Sequence, residues 1–265
     1  MSFSETWLEL RAGYDTAARS PMLEAELARW ASARTMTTGR ALGVVDLGAG
    51  SGNNRRHLAR RLPVEQSWTL VDADPALLEA ARRNDPAVAV RGVDLAADLD
   101  AAIPESTDLV TASALIDLVS AAWLDRLMAR VDAAGAALLV VLTYDGRTTW
   151  EPPDPFDGRV LELVNRHQRI DKGFGPALGP DAGPALTRLA GGRVTQATSD
   201  WVIGPDDAPM RAALVEGWTS AAIEISPGEA NGIDAWRSRS IDRQARLTVG
   251  HVDQLVMPKS WVRQV

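Results

Sequence analysis

Five short apolar runs, at 42–48, 67–72, 87–95, 108–115 and 136–144, alternate with helix-patterned segments. This alternation restricts the fold more than any other feature. Runs such as LGVVDLG and AALLVVL are apolar on both faces, which suits strands covered by helices above and below. Strands joined through helices at this spacing pair in parallel by right-handed crossovers. The helical segments are 53–62, then 75–83 with Pro75 in its first turn, then 120–131 behind Ser120 as N-cap. The expected fold class is α/β. Ligands on such sheets bind at the carboxyl ends of the strands.

The flanks differ in texture. Residues 5–34 carry apolar positions at helical spacing with a break at Ser20-Pro21, so two helices are expected, and 1–38 read as an N-terminal helical lid. After Tyr144 the chain becomes rich in glycine and proline around one helical piece, 158–170. It also holds Trp150, Phe156 and Phe174, so it reads as an insertion and not a linker. A further helix is expected at 185–192. The stretches 193–203 and 246–257 alternate like strands with one exposed face, and between them lies a helical stretch with Trp218 and Trp236. The expectation is a seven-stranded sheet, mostly parallel with an antiparallel edge hairpin, on a core of 39–265 with cap insertions at about 145–180 and 206–245.

Composition narrows the partners. At 265 residues and 46% hydrophobic, the chain can bury a sizeable core. A net charge of −7 supplies no attractive field for nucleic acid, so a small-molecule partner is expected and no nucleic acid. Without cysteine there is no disulfide or zinc–thiolate site, and no metal is expected. The opening MSFSETWLELRAG lacks a basic leader followed by an apolar stretch, and the longest apolar run, 136–142, is too short to span a bilayer. A cytoplasmic protein without a membrane partner is the expectation; a homodimer is one assembly the chain allows.

The strand ends carry the chemistry. The first run ends in Asp46-Leu47-Gly48-Ala49-Gly50-Ser51-Gly52, where glycine lets the backbone turn and a ligand lie against main chain. The second ends in Asp72-Ala73-Asp74-Pro75, with Asp72 twenty residues beyond Gly52, a position from which a carboxylate accepts both hydroxyls of a ribose. The third ends in Asp94-Leu95 and the fourth in Ser113-Ala114-Leu115-Ile116-Asp117. A dinucleotide site wants a third small residue where this chain has Asn53, and Asp46 is an unwelcome anion beside a pyrophosphate. Asp46 better suits a cationic amino acid group. An NAD-dependent oxidoreductase is thereby disfavoured.

VVDLGAGSG at 44–52 closely resembles the first motif of the class I methyltransferases, whose cofactor is S-adenosylmethionine (SAM). The resemblance extends through LVDADPALLEAA, VDL at 93–95 and DLVTASALIDLV, covering roughly 40–145. It implies a Rossmann-like sheet, SAM as cofactor and S-adenosylhomocysteine as product. By that resemblance Asp46 orients the methionyl ammonium, and Gly48, Ala49 and Gly50 carry backbone against the cofactor. Asp72 and Ala73 hold the ribose, Asp94 and Leu95 flank the adenine, and Ser113 closes the fourth strand beside it. Tyr14-Asp15-x-x-Ala-Arg19 resembles a helix that folds over SAM in many small-molecule methyltransferases, giving Tyr14 and Arg19 as further cofactor contacts. The i,i+4 spacing of Asp15 and Arg19 equally allows a surface ion pair.

The sulfonium methyl is already electrophilic, so such an enzyme mainly aligns a nucleophile and excludes water. Asp117 stands where many relatives have histidine and is the first candidate base; an N-cap role is its structural alternative. His167 is the second. His57, among arginines, reads as surface, and His251 as structural. Arg159, Arg166, Arg169 and Lys172 read as a positive patch for an anionic acceptor, with Arg166 and Arg169 as substrate contacts, or as a solvated helix face. Trp150 and Phe174 are the aromatic candidates for the substrate pocket. The absence of a [DN]-P-P-[FYW] motif counts against amide or base-amine methylation. The reading is methyl transfer to an O or N nucleophile of a small molecule. An RNA or protein methyltransferase, or a SAM-binding protein without transferase activity, are the alternatives.

Overall fold

The structure, a computed structural model, describes residues 4–261; the extremities of the expected lid and core, 1–3 and 262–265, lie outside the described residues. Two helices lead, α1 (Glu5–Ala18) and α2 (Pro21–Thr38). Ser4 and Ser20 cap them, each accepting from a backbone N–H three residues on, and Gly39 ends α2 in the left-handed conformation. The break at Ser20-Pro21 falls where expected, because Pro21 opens a helix but cannot continue one.

The alternating half follows: β1 (Leu42–Leu47), α3 (Asn53–Leu58), β2 (Gln66–Asp72), α4 (Pro75–Asn84), β3 (Ala89–Gly92), α5 (Leu99–Ala102), β4 (Leu109–Ser113), α6 (Ala121–Ala134) and β5 (Ala137–Glu151). Asp74 caps α4 through Ala76 N and Leu77 N, and Ser120 caps α6. A short 3-10 turn, Ile116–Leu118, fills the space between β4 and α6. The remainder is α7 (Asp157–His167), α8 (Ala182–Ala190), β6 (Val194–Thr198), β7 (Trp201–Ile203), α9 (Ala208–Ile225), α10 (Ala230–Ser240) and β8 (Arg246–Val256). The sheet order is β3-β2-β1-β4-β5-β8-β6, with β7 also paired to β8. The first five strands are parallel; β8 runs antiparallel to β5, β6 and β7.

The sheet has eight strands, not seven, because the expected strand 193–203 divides. Ser199 N still donates to His251 O at 2.9 Å, but the His251 N–H goes to the Asp200 carboxylate at 3.1 Å instead of a backbone carbonyl. The side chain therefore interrupts the ladder between β6 and β7. In addition, β5 continues to Glu151, past the expected end at 144. It does so with register shifts on β8 between Val140 and Thr143 and between Tyr144 and Thr148.

Both faces of the sheet are covered. On one side α2 and α3, with α7, α9 and α10 further along, bury Leu27, Trp30, Val160, Val215 and Trp236. On the other, α5, α6 and α8 bury Ala102, Trp123, Leu127 and Leu186. Both-sided burial explains why β1, β4 and the first part of β5 read as continuous apolar runs. Among the described residues, no helix is long and apolar enough to cross a membrane.

Candidate functional site

A cleft of about 650 Å³ opens at the carboxyl ends of β1 to β4. Its floor is the glycine loop. Gly48 and Gly50 take φ of +61° and +52°, conformations that L side chains rarely adopt. A Cβ on Gly50 would lie 3.1 Å from Leu8 Cδ1 and one on Gly48 3.3 Å from Leu115 Cδ1. The loop is held by Asp72, whose carboxylate accepts from Gly50 N and Asp74 N, both at 2.9 Å. Asp72, Ala73, Asp94, Leu95 and Ser113 all line this cleft. Asp94 also closes its own turn by accepting from Ala96 N at 2.9 Å.

Phe174 stands in the same cleft, not in the space beyond it where the sequence suggested a substrate contact. Its ring meets Trp123 edge-on at 5.5 Å, and Trp123 Nε1 donates to Leu95 O at 2.7 Å. The loop after α7 is thus tied to the end of β3, forming an aromatic wall suited to a flat heterocycle.

Asp46 is fully buried and does not line the cleft. Its Oδ1 accepts from Asn54 Nδ2 at 2.8 Å, while Oδ2 is enclosed without a partner. Burial pushes its carboxyl up to about 7; the Asn54 amide and the Arg19 charge oppose this and the Asp72 charge adds to it. Asn54 Oδ1 in turn accepts from Arg19 Nη1 at 2.8 Å. Arg19 is itself buried, 3.8 Å from Asp253 and 3.9 Å from Glu24, with Nε and Nη2 making no hydrogen bond. It lines a smaller adjoining cavity of about 250 Å³ and not the main cleft. Asp46 and Arg19 therefore form one buried network behind the glycine loop.

The Asp15–Arg19 ion pair that the spacing equally allowed is not made. Asp15 pairs with Arg11, one turn earlier, at 2.9 Å, and accepts from Trp201 Nε1 at 3.1 Å. Tyr14 lies outside the cleft, beside Asp207 at the start of α9; burial and that carboxylate raise its phenol. His57, read as surface, is half-buried with Nε2 2.5 Å from Glu24 Oε1, a contact that lowers the Glu24 carboxyl below its ordinary range despite burial.

A second cavity of about 410 Å³ adjoins the cleft, and Arg11, Ala114, Leu118 and Lys172 line both. Asp117 lines it from the 3-10 turn after β4. Its carboxyl is buried, Oδ1 has no partner, and burial pushes it up to about 6, with Arg11 pulling the other way. His167 lines it too, with Nε2 3.2 Å from Glu224 Oε2 and Nδ1 3.4 Å from Lys172 Nζ. Ala114 and Leu142, both on this cavity, hold φ of +49° and +56°. Leu142 is fixed there by its N–H donating to Asp253 Oδ1 at 2.8 Å. Backbone strain in side-chain-bearing residues often marks a working site.

The positive patch expected on the cap does not form. Arg159 binds Glu229 and Glu162, and Arg169 binds Asp181 at 3.0 Å. Arg166 is exposed, and neither it nor Arg169 lines the second cavity. Glu229 and Asp181 lie outside the segment that carries these cations, which is why the run looked free. Trp150 also lies elsewhere, packed edge-on between Trp218 and Trp236 at 6.4 and 6.5 Å. Lys172 alone of the patch reaches the cavities.

Sequence reasoning missed Arg11, Tyr144, Trp201 and His251 as cavity residues. His251 is 5% exposed, its Nδ1 makes no hydrogen bond, and its ring tilts against Trp201 at 4.7 Å. Burial, with the Arg11 charge, pushes its imidazole down to about 3, so it is neutral at physiological pH. The available signal was three closely spaced polar residues, His251, Asp253 and Gln254, in the buried second half of β8.

An open α/β sheet whose glycine loop and strand-end carboxylates converge on one cleft has the class I methyltransferase fold. The cyclopropane-fatty-acyl-phospholipid synthase-like protein of Lactobacillus casei ATCC 334 is similar, with TM-score 0.54 and 14% identity over 94% of this chain and 100% of that one. Phosphoethanolamine N-methyltransferase 2 of Haemonchus contortus, solved with S-adenosylhomocysteine, aligns at TM-score 0.43 and 15% identity over 83% of this chain, which spans 49% of that protein. The arsenic(III) SAM methyltransferase of Chlamydomonas reinhardtii aligns at 0.42 and 20%, over 84% and 66%. No curated protein matches the sequence. Residues 44–135 match the family model described as "Methyltransferase domain". That stretch of the chain is thus a methyltransferase domain, whose cofactor is SAM, and the chain as a whole shares the fold of the class I methyltransferases.

Proposed function

We propose that this chain transfers the methyl group of SAM to an oxygen or nitrogen of a small-molecule acceptor held in the second cavity. The observation that carries this is the shared wall. The cofactor-sized cleft and the second cavity meet at Arg11, Ala114, Leu118 and Lys172, and a buried, under-partnered carboxyl, Asp117, stands on the acceptor side.

The residues fit SAM. The glycine cradle would be filled by a Cβ, the Asp72 carboxylate borders the cleft, and Asp46 and Asn54 lie behind the loop, where a cationic amino acid group is stabilised. In this reading Asp72 holds the ribose hydroxyls, Leu95 and Phe174 enclose the adenine, and Arg19 acts through Asn54. When bound, SAM supplies an electrophilic methyl. The chain supplies alignment, exclusion of water and a proton acceptor, Asp117, for a nucleophile that carries a proton. The helices of 1–38 serve as a lid, and the insertions at 145–180 and 206–245 as caps over the acceptor. A small acceptor also suits walls formed largely by the protein's own caps.

The test is calorimetry with SAM and S-adenosylhomocysteine, followed by an acceptor screen read by release of S-adenosylhomocysteine. Micromolar binding with turnover on small molecules is the expected result. Binding of NADH in place of SAM overturns the cofactor. Turnover confined to RNA or protein overturns the acceptor, and SAM binding without turnover on any acceptor overturns the transfer.

A further inference from the structure

The walls of the second cavity describe their ligand more closely than the reaction class does. Helix α9 faces it with Ala213, Gly217 and Ala221, spaced four residues apart and therefore stacked along one side of the helix. The small residues of that row leave a shelf flanked by Leu214 and Trp218 of the same helix. Other elements add rings to the cavity wall, Tyr144 on β5, Trp201 on β7 and His251 on β8. Gly217 is exposed, and a Cβ built on it meets nothing within 4 Å.

Polarity within this slot is sparse and specific. The enclosed Asp117 Oδ1 and His251 Nδ1 lack hydrogen-bond partners. The residues that carry them are 7% and 5% exposed and line the cavity from different elements, the 3-10 turn after β4 and the middle of β8. Buried polar groups left short of partners are costly, and a ligand that supplies partners recovers that cost. The nearby cations face carboxylates, Arg11 paired with Asp15 and Lys172 within the field of Glu224, so little net positive charge is left for an anionic acceptor. The volume, about 410 Å³, is nearly three times the ~150 Å³ that accommodates one benzene ring in an engineered protein cavity.

We infer that the acceptor is a neutral, flat aromatic molecule of about two fused rings bearing a phenol-type hydroxyl, laid on the Ala213–Gly217–Ala221 shelf with Gly217 setting the thickness allowed. This rests on the methyl-transfer reading above. The hydroxyl proton passes to the Asp117 carboxylate, an oxygen lone pair forms the O–CH3 bond, and the S–CH3 bond breaks with its electron pair retained on sulfur. His251, neutral, meets a second polar group of the acceptor and takes no proton.

The probe is 2-naphthol, titrated by calorimetry into the protein saturated with S-adenosylhomocysteine, with its saturated analogue decahydro-2-naphthol as control. Expected is binding of the flat compound at least tenfold tighter than the saturated one, and formation of 2-methoxynaphthalene with SAM. A Cβ at position 217 meets nothing within 4 Å, and Gly217→Leu extends a bulky side chain from there over the shelf. It should keep S-adenosylhomocysteine affinity within twofold and weaken 2-naphthol at least twentyfold, while Gly217→Ala gives an intermediate loss. Equal binding of flat and saturated compounds, or unchanged 2-naphthol affinity in Gly217→Leu, overturns the shelf. Failure of S-adenosylhomocysteine to bind the native chain overturns the methyl-transfer reading instead, so the two failures are distinguishable.

Discussion

Replacing Asp117 with asparagine should make the protein more stable and nearly inactive. The carboxyl is buried, one oxygen lacks a partner, and burial has pushed it from 3.8 to about 6. A group whose folded pKa is raised in this way binds its proton more tightly in the folded state. Folding stability therefore falls as pH rises from about 4 to about 6 and stays lowered above that. At 1.36 kcal/mol per pKa unit the ionised carboxylate costs about 3 kcal/mol at pH 8, an upper figure that local relaxation reduces. For a chain of 265 residues that amounts to about 5 °C in Tm. The assay is thermal unfolding of native and Asp117→Asn protein between pH 4 and 8. The curves should coincide near pH 4 and diverge through pH 6, the variant melting higher. Kinetically, the native kcat/KM should fall below pH 6, and the variant should lose that limb along with about 10²–10⁴ of its rate. A variant that melts at or below native temperature at every pH, with its pH–rate limb intact, refutes the reasoning.

Asp72→Ala removes the acceptor for Gly50 N and Asp74 N and should weaken SAM about 30- to 160-fold by calorimetry, in line with about 2–3 kcal/mol for charged hydrogen bonds. Asp46→Asn should likewise stabilise the chain above pH 7, because burial holds that carboxyl up near 7, while weakening SAM; both are measured on one sample by melting and titration. The double variant Arg166→Ala, Arg169→Ala should leave SAM affinity and turnover within twofold, since neither side chain borders the cavities. Trp150→Ala should cost about 3–5 kcal/mol in stability, read by urea unfolding.

Legibility in the sequence followed locality. The glycine loop, Asp72 and Asp94-Leu95 are each fixed by a strand end and the turn beyond it, so short motifs were enough to bring them to one cleft. Asp117 was legible for the same reason. The acceptor side was not, because its walls come from α1, α7, α9 and β8, whose meeting depends on packing between elements far apart in the chain. Arg159 and Arg169 looked like an anion site because Glu229 and Asp181 cannot be assigned to them without the fold. Asp200 gave no warning that it would split a strand, since that depends on its facing the His251 N–H across the sheet.

Asp253 works as a clasp between three distant parts of the chain. Its two oxygens accept from Ser20 N and Leu142 N, 233 and 111 residues away. The joint between α1 and α2 is thus pinned to β8, and β8 to the irregular stretch of β5. One carboxylate couples the seating of the N-terminal helices to the seating of β8 against β5, so a disturbance at either contact is felt at the other.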